Sequence, residues 1–171
     1  MINFKFKEVT KMGYAVKLAP VAKQIYNGDK VDVALTGSNT GTYTFSVCYV
    51  SKTEVCLLCD VNLGNANWTT QCAKSWGWSL KLGGKNYSSS DAGQSVAKIP
   101  TLEEMTMKCH DPWRSIGKYN QYFMSDYYGG TGNAYAWAVY SKDDQTDYKT
   151  PFGPSYNGNS ISTLPFITVQ L

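Results

Sequence analysis

Arginine is almost missing from this chain: Arg114 is the only one, and His110 is the only histidine. A surface that grips a phosphate backbone normally uses several arginines, because the guanidinium fork matches phosphate bidentately. Net charge is +3, and Lys plus Arg exceed Asp plus Glu by only 7 to 5 in residues 1–65 and 9 to 8 in residues 66–171. Neither half is a basic module, so no nucleic-acid partner is expected. No apolar run reaches the length of a membrane span, so no membrane insertion is expected. Residues 1–8 hold no apolar core of a signal peptide, so export by that route is not expected either. Cysteines number five, an odd count that suits synthesis in a reducing compartment and gives no disulfide framework.

The scarcity of histidine also bears on catalysis. His110 follows Cys109 directly, and consecutive side chains diverge too far to work as nucleophile and base. No other group supplies a general base at neutral pH without a large pKa shift. The chain is therefore read as no enzyme.

Aromatic residues are what the sequence has in excess: 13 Tyr, 6 Phe and 5 Trp, against a low 17% of charged residues. In the second half Tyr keeps company with Ser, Gly and Asn, the composition of binding surfaces, where Tyr offers rigid contact area at little entropic cost. Strand preference alone also enriches aromatics, so clustering carries more weight than the total.

Period-two alternation marks strands over residues 30–36, with Val31, Val33 and Leu35 on one face, and over residues 42–50, with Tyr43, Phe45, Val47 and Tyr49 on one face. Residues 37–41 form the turn between them, and residues 51–53 connect to a third strand over 54–61, giving a meander. The Asn- and Gly-rich stretch 62–67 is the best candidate for a boundary or a long loop. The chain then divides into a β-rich anchoring or oligomerisation module, 1–65, and a second domain, 66–171. Gly83 and Gly84 read as a hairpin tip. Ser88 to Asp91 can cap a short helix over 90–97. Thr101 and Glu104 form a capping box for a second helix, in which Leu102, Met105 and Thr106 make the inner stripe. Asn133–Tyr140 sets Tyr135, Trp137 and Val139 against Ala134, Ala136 and Ala138, a strand covered on both faces. Residues 141–160 read as a long loop or a hairpin with a wide tip, and residues 164–171 as a terminal strand.

This order resembles the C-type-lectin-like domains of bacterial surface proteins and phage proteins, over about residues 85–171. Ile99-Pro100-Thr101 takes the place of the family's Leu-Pro-Thr turn and Glu104-Met105 that of its Glu-Leu pair. Tyr122-Phe123-Met124-Ser125 stands for Tyr-Trp-Ser-Ser, and Asn133-Ala134-Tyr135-Ala136-Trp137 matches in full. The chain departs at Val96-Ala97-Lys98, where the family has Gly-Trp-Arg, and at Phe166-Ile167-Thr168-Val169, which replaces Val-Arg-Pro-Val. The resemblance implies an α+β fold: a C-type-lectin-like domain of two short helices, twisted antiparallel strands and long loops, preceded here by an N-terminal antiparallel β module. It also implies a binding module whose upper loops display the functional surface. That surface would be the loop over residues 126–132, with Asp126, Tyr127 and Tyr128, flanked by Trp113, Tyr119, Asn120 and Tyr122, and joined by Tyr148, Phe152, Tyr156 and Asn157. An ordinary Gly-rich hairpin with exposed tyrosines is the plain alternative.

Cys56 and Cys59 have C-x-x-C spacing, but Cys48, Cys72, Cys109 and His110 supply no second motif of the kind a zinc site needs. On a strand the two would point to opposite faces. The Ca²⁺-binding Glu-Pro-Asn and Trp-Asn-Asp signatures of sugar-binding lectins are missing. Asp143, Asp144 and Asp147 could ligate calcium, yet fit a solvated loop tip better, so no cofactor is expected. The expected role is recognition, in a phage virion decoration or fibre component that forms a homo-oligomer, docks on other virion proteins and binds a host-surface protein or glycan. A purely structural capsid or tail accessory protein and an adhesin at the bacterial cell surface are the alternatives.

Overall fold

Alternation over the first meander becomes three strands, β1 (Lys30–Gly37), β2 (Gly41–Val50) and β3 (Glu54–Cys59). The computed structural model describes residues 23–64, 68–109, 121–130, 133–140, 148–152 and 163–171. β1 and β2 pair in antiparallel register from Lys30 with Ser46 to Leu35 with Gly41, and β2 pairs with β3 from Phe45 with Cys59 to Val50 with Val55. Val33, Leu35, Phe45 and Val47 are buried as their period predicts. β3 is different, since Val55 through Cys59 are all buried, which requires cover on both faces of the sheet.

The remaining elements are α1 (Trp68–Cys72), β4 (Trp76–Leu82), β5 (Lys85–Ser88), α2 (Leu102–Lys108), β6 (Gln121–Gly130), β7 (Asn133–Tyr140), β8 (Tyr148–Phe152) and β9 (Phe166–Gln170). Among the described residues they make an antiparallel β protein with two short helices. Six strands form one sheet in the order β5-β4-β1-β2-β3-β9, and β6-β7-β8 form a second. Among the described residues no helix is long and apolar enough to cross a membrane.

Strands from both sides of the expected 65/66 boundary share the six-stranded sheet, with β1, β2 and β3 flanked by β4 and β9. The stretch around Asn62 is itself tied down: Asn62 Oδ1 accepts from the Thr163 amide at 2.8 Å, and the Leu63 amide donates to the Thr163 carbonyl at 2.9 Å. The described residues therefore form no separate module ending at residue 65.

The sheet curls into a half-barrel whose open side is bridged by the chain at residues 97–98. Ala97 exchanges backbone hydrogen bonds of 3.0 and 2.8 Å with Trp76 on β4, and Lys98 exchanges bonds of 3.3 and 2.7 Å with Phe166 on β9. Inside the curl lies a first core that includes Val33, Phe45, Leu57, Trp76, Trp78 and Ile167. On the opposite face a second core joins Cys48, Cys56, Leu58, Leu164 and Phe166 to Met105 and Cys109 of the α2 segment.

Gly83 and Gly84, with φ of 59° and 91°, close the β4–β5 hairpin between paired Leu82 and Lys85, the two-residue turn that positive φ at both positions permits. Residues 90–97 are not the expected helix. The Asp91 carboxylate instead accepts from the Ser88 amide at 2.7 Å, Ser88 Oγ accepts from the Ser90 amide, and Gly93 turns with φ 81°. Side chains that could cap a helix bond locally here and hold a series of turns, the competition these residues exert against helix. The Gln94 side-chain amide then pairs with both backbone groups of Gln170, extending the β9 edge.

α2 has the expected capping box: Thr101 Oγ1 accepts from the Glu104 amide at 3.0 Å, and Glu104 Oε2 accepts from the Thr101 amide at 2.8 Å. Met105 is buried as expected; the Leu102 and Thr106 side chains lie outside the described set. Thr101→Ala removes half the box and is expected to cost about 1 kcal/mol in urea unfolding. An unchanged midpoint would show that packing of Met105 alone fixes the start of α2.

Candidate functional site

The second sheet carries the expected binding segment, in a different form. The run from Asp126 to Gly130 is part of β6 and not a loop, and Tyr148 with Phe152 belongs to β8, whose antiparallel pairing with β7 follows the hairpin alternative for residues 141–160. β7 occupies the expected span. Tyrosine prefers pleated, half-covered backbone, and Gly129 and Gly130 pair with Ala134 and Asn133, so the paired strands continue to Gly130 and Asn133.

Register positions decide which residues can act together. Tyr122 pairs with Val139 and Tyr128 with Tyr135, whereas Tyr127 pairs with Ala136, which in turn pairs with Phe152. Successive positions on β7 alternate between faces. Positions 122 and 128 therefore share the face of positions 135, 137 and 139. Positions 127, 148 and 152 share that of 134, 136, 138 and 140. The ladder skips between Phe123 and Tyr127, which places Asp126 in an irregular stretch of β6. Trp113, Tyr119, Asn120, Tyr156 and Asn157 lie outside the described residues, as do Asp143, Asp144, Asp147 and His110. Of the ten expected ligand-binding positions, the second sheet thus brings together Tyr122, Asp126, Tyr127, Tyr128 and Tyr148.

The sequence reading also missed a polar hollow on the outer face of the large sheet. It has a volume of about 500 Å³ and is lined by Asp32, Ala34, Thr42, Ser79, Leu80, Asn86, Tyr87, Ser88 and Asp91. Its carboxylates are already engaged, Asp32 with the Thr44 hydroxyl at 3.2 Å and Asp91 with the Ser88 amide. The ammonium of Lys85 sits 4.8 Å from the Tyr87 ring centroid at its rim. The signal for this surface was the polar half of each alternating strand, which any one-sided sheet shows.

Electrostatics elsewhere in the large sheet serve its framework. Lys30 bonds Asp60 at 2.6 Å, and Ser46 donates to the other Asp60 oxygen, joining β1, β2 and the end of β3. Lys108 bonds Glu54 at 2.8 Å and lies 5.6 Å from the Tyr49 ring centroid. Burial works to lower the Lys108 pKa, but the hydrogen bond to Glu54 and nearby negative groups outweigh it and carry the value above the ordinary lysine range.

Cys56 and Cys59 fall on opposite faces, in the second and first cores respectively, so they cannot share one tetrahedral ion. Burial pushes the Cys56 thiol up to about 11 and the Cys59 thiol up to about 12, which leaves both protonated and poorly nucleophilic. Among the described residues no group of three or more His, Cys, Asp and Glu side chains is placed to hold a metal ion. Comparison with protein-family models, with curated proteins and with solved structures finds no match for this chain.

Proposed function

We propose that this chain is a non-enzymatic recognition protein, a phage virion decoration or fibre component that binds a host-surface protein or glycan through its second sheet. The observation that carries this reading is the β6-β7-β8 sheet, which gathers Tyr122, Tyr127, Tyr128, Tyr135, Trp137, Tyr140 and Tyr148 within three paired strands. Rigid amphipathic residues such as tyrosine and tryptophan suit both peptide and sugar surfaces. The C-type-lectin-like reading of residues 85–171 is part of the proposal. It is supported by the capped helix α2 and by the alternating strand β7. The six-stranded sheet then serves as the body that docks on other virion proteins and on further copies of the chain.

The test is adsorption of the labelled chain to a panel of bacterial hosts. Tyr122→Ala with Tyr128→Ala changes one register face, and Tyr127→Ala with Tyr148→Ala the other. One pair is expected to weaken binding by more than about tenfold, the loss that accompanies removal of a tyrosine hot spot, while thermal melting stays near that of the parent. Wild-type adsorption by both pairs, or no adsorption by the parent chain, would favour a purely structural capsid or tail role.

A further inference from the structure

The C-x-x-C motif separates its cysteines, but the fold assembles a different pair. Cys48 and Cys109, 61 residues apart in sequence, meet in the second core with the Cys109 thiol directed at Cys48 Sγ across 3.7 Å. Both are buried, at 2% and 0% exposure. Each also sits at a break in regular secondary structure. The β2–β3 ladder skips Cys48 at the shift between Val47 and Tyr49, and Cys109 is the C-cap of α2, past its last regular turn. Cys56 shares this core, but its sulfur faces the Thr168 hydroxyl at 3.7 Å from the neighbouring strand, and Cys59 is on the other side of the sheet.

We propose that Cys48 and Cys109 are an oxidative cross-linking site, which a low-molecular-weight disulfide such as glutathione disulfide converts into an intramolecular disulfide. The sulfurs stand in van der Waals contact and need to close to about 2.05 Å, a movement that side-chain rotation and a small shift at the C-terminal end of α2 can supply. The exchange balances in two steps. One protein thiolate attacks a sulfur of the small disulfide, forming a mixed disulfide and releasing one small thiolate. The second protein thiolate attacks the protein sulfur of that mixed disulfide, forming the Cys48–Cys109 bond and releasing the other small thiolate. The two protein thiol protons end on two small thiols, and the two electrons lost by the protein reduce the oxidant.

Burial holds the Cys109 thiol well above its usual pKa, so the folded pair is slow to react and conversion follows opening of the α2 end. The product fastens the C-cap of α2 to the β2 bulge and leaves Cys56, Cys59 and Cys72 as thiols. A chain made in a reducing compartment would thus gain the cross-link only after moving to an oxidising one.

The experiment uses the full chain in two arms: native protein incubated with glutathione disulfide, and reduced denatured protein refolded in a glutathione redox buffer. Free thiols are then alkylated and the peptides mapped by mass. The expected product has lost about 2 Da, retains three alkylated cysteines and links the peptides containing Cys48 and Cys109. Its melting temperature rises by on the order of 10 °C over the reduced form, and dithiothreitol reverses the rise. Cys59→Ser is expected to keep the cross-link and Cys48→Ser to lose it. Linkage of Cys48 to Cys56, any other pairing, glutathione adducts alone, or five free thiols in both arms would overturn the proposal.

Discussion

Replacing Trp76 by alanine is expected to lower the unfolding free energy by about 3–5 kcal/mol, the range for deleting a fully buried indole. Trp76 is 0% exposed and opens β4, where its backbone pairs with Gly37 on one side and Ala97 on the other. Its ring belongs to the first core, and its Nε1 donates to Asn39 Oδ1 at 3.1 Å across the β1–β2 turn. The substitution therefore removes apolar burial, opens a cavity inside the curl and frees the turn amide. For a domain whose total stability is of order 5–15 kcal/mol, that loss consumes much of the margin. Urea unfolding followed by circular dichroism measures it. A loss below about 1 kcal/mol would mean that the curl collapses onto the gap and that Trp76 does not anchor the bridge at residues 97–98.

Trp76 also shows where sequence reasoning runs out. The faces of β1 and β2 were legible because alternation reports which side of a strand meets apolar surroundings. The capping box at Thr101 was legible because both partners lie within one helical turn. Nothing local reports that Trp76 pairs with Ala97 or that β3 pairs with β9, which is more than a hundred residues away in sequence. Periodicity encodes a face and leaves the partner open. For the same reason the composition shift at residues 62–67 could read as a boundary or a long loop, whereas β3 before it and β4 after it enter one sheet. The Ser-rich run before residue 97 failed differently: its hydroxyls and the Asp91 carboxylate found backbone partners in turns before a helix could use them.

In the second sheet, aromatic content was the legible part and backbone state was not. Two glycines and an aspartate around Tyr127-Tyr128 have the composition of a loop, yet β6 runs through them with an irregularity that breaks the alternation a reader would look for. For β8 the choice between a long loop and a hairpin stayed open, since Pro151 argues against an interior strand. The sheet order puts β8 at an edge, where a residue without an N–H is tolerated. Separation of Tyr127 from Tyr128 onto opposite faces then follows from strand geometry and changes how the proposed surface is probed, one face at a time.

Met105→Ala is expected to cost about 2–5 kcal/mol and Ile167→Val about 0.5–1.5 kcal/mol, and the two losses are expected to add within about 0.5 kcal/mol. Met105 is 2% exposed in the second core, and Ile167 is 1% exposed in the first, so the backbone of the large sheet stands between them. Removing the methionine side chain empties the contact through which α2 covers Leu58 and Phe166. Shortening isoleucine to valine trims a methylene in the first core, where Ile167 stands opposite Leu57 on β3. Neither change alters the packing shell of the other. Urea unfolding of the two single variants and the double variant closes the cycle. A coupling above about 1 kcal/mol would show that strain passes through the sheet, and that α2 and the curled core behave as one packed body with no dividing layer.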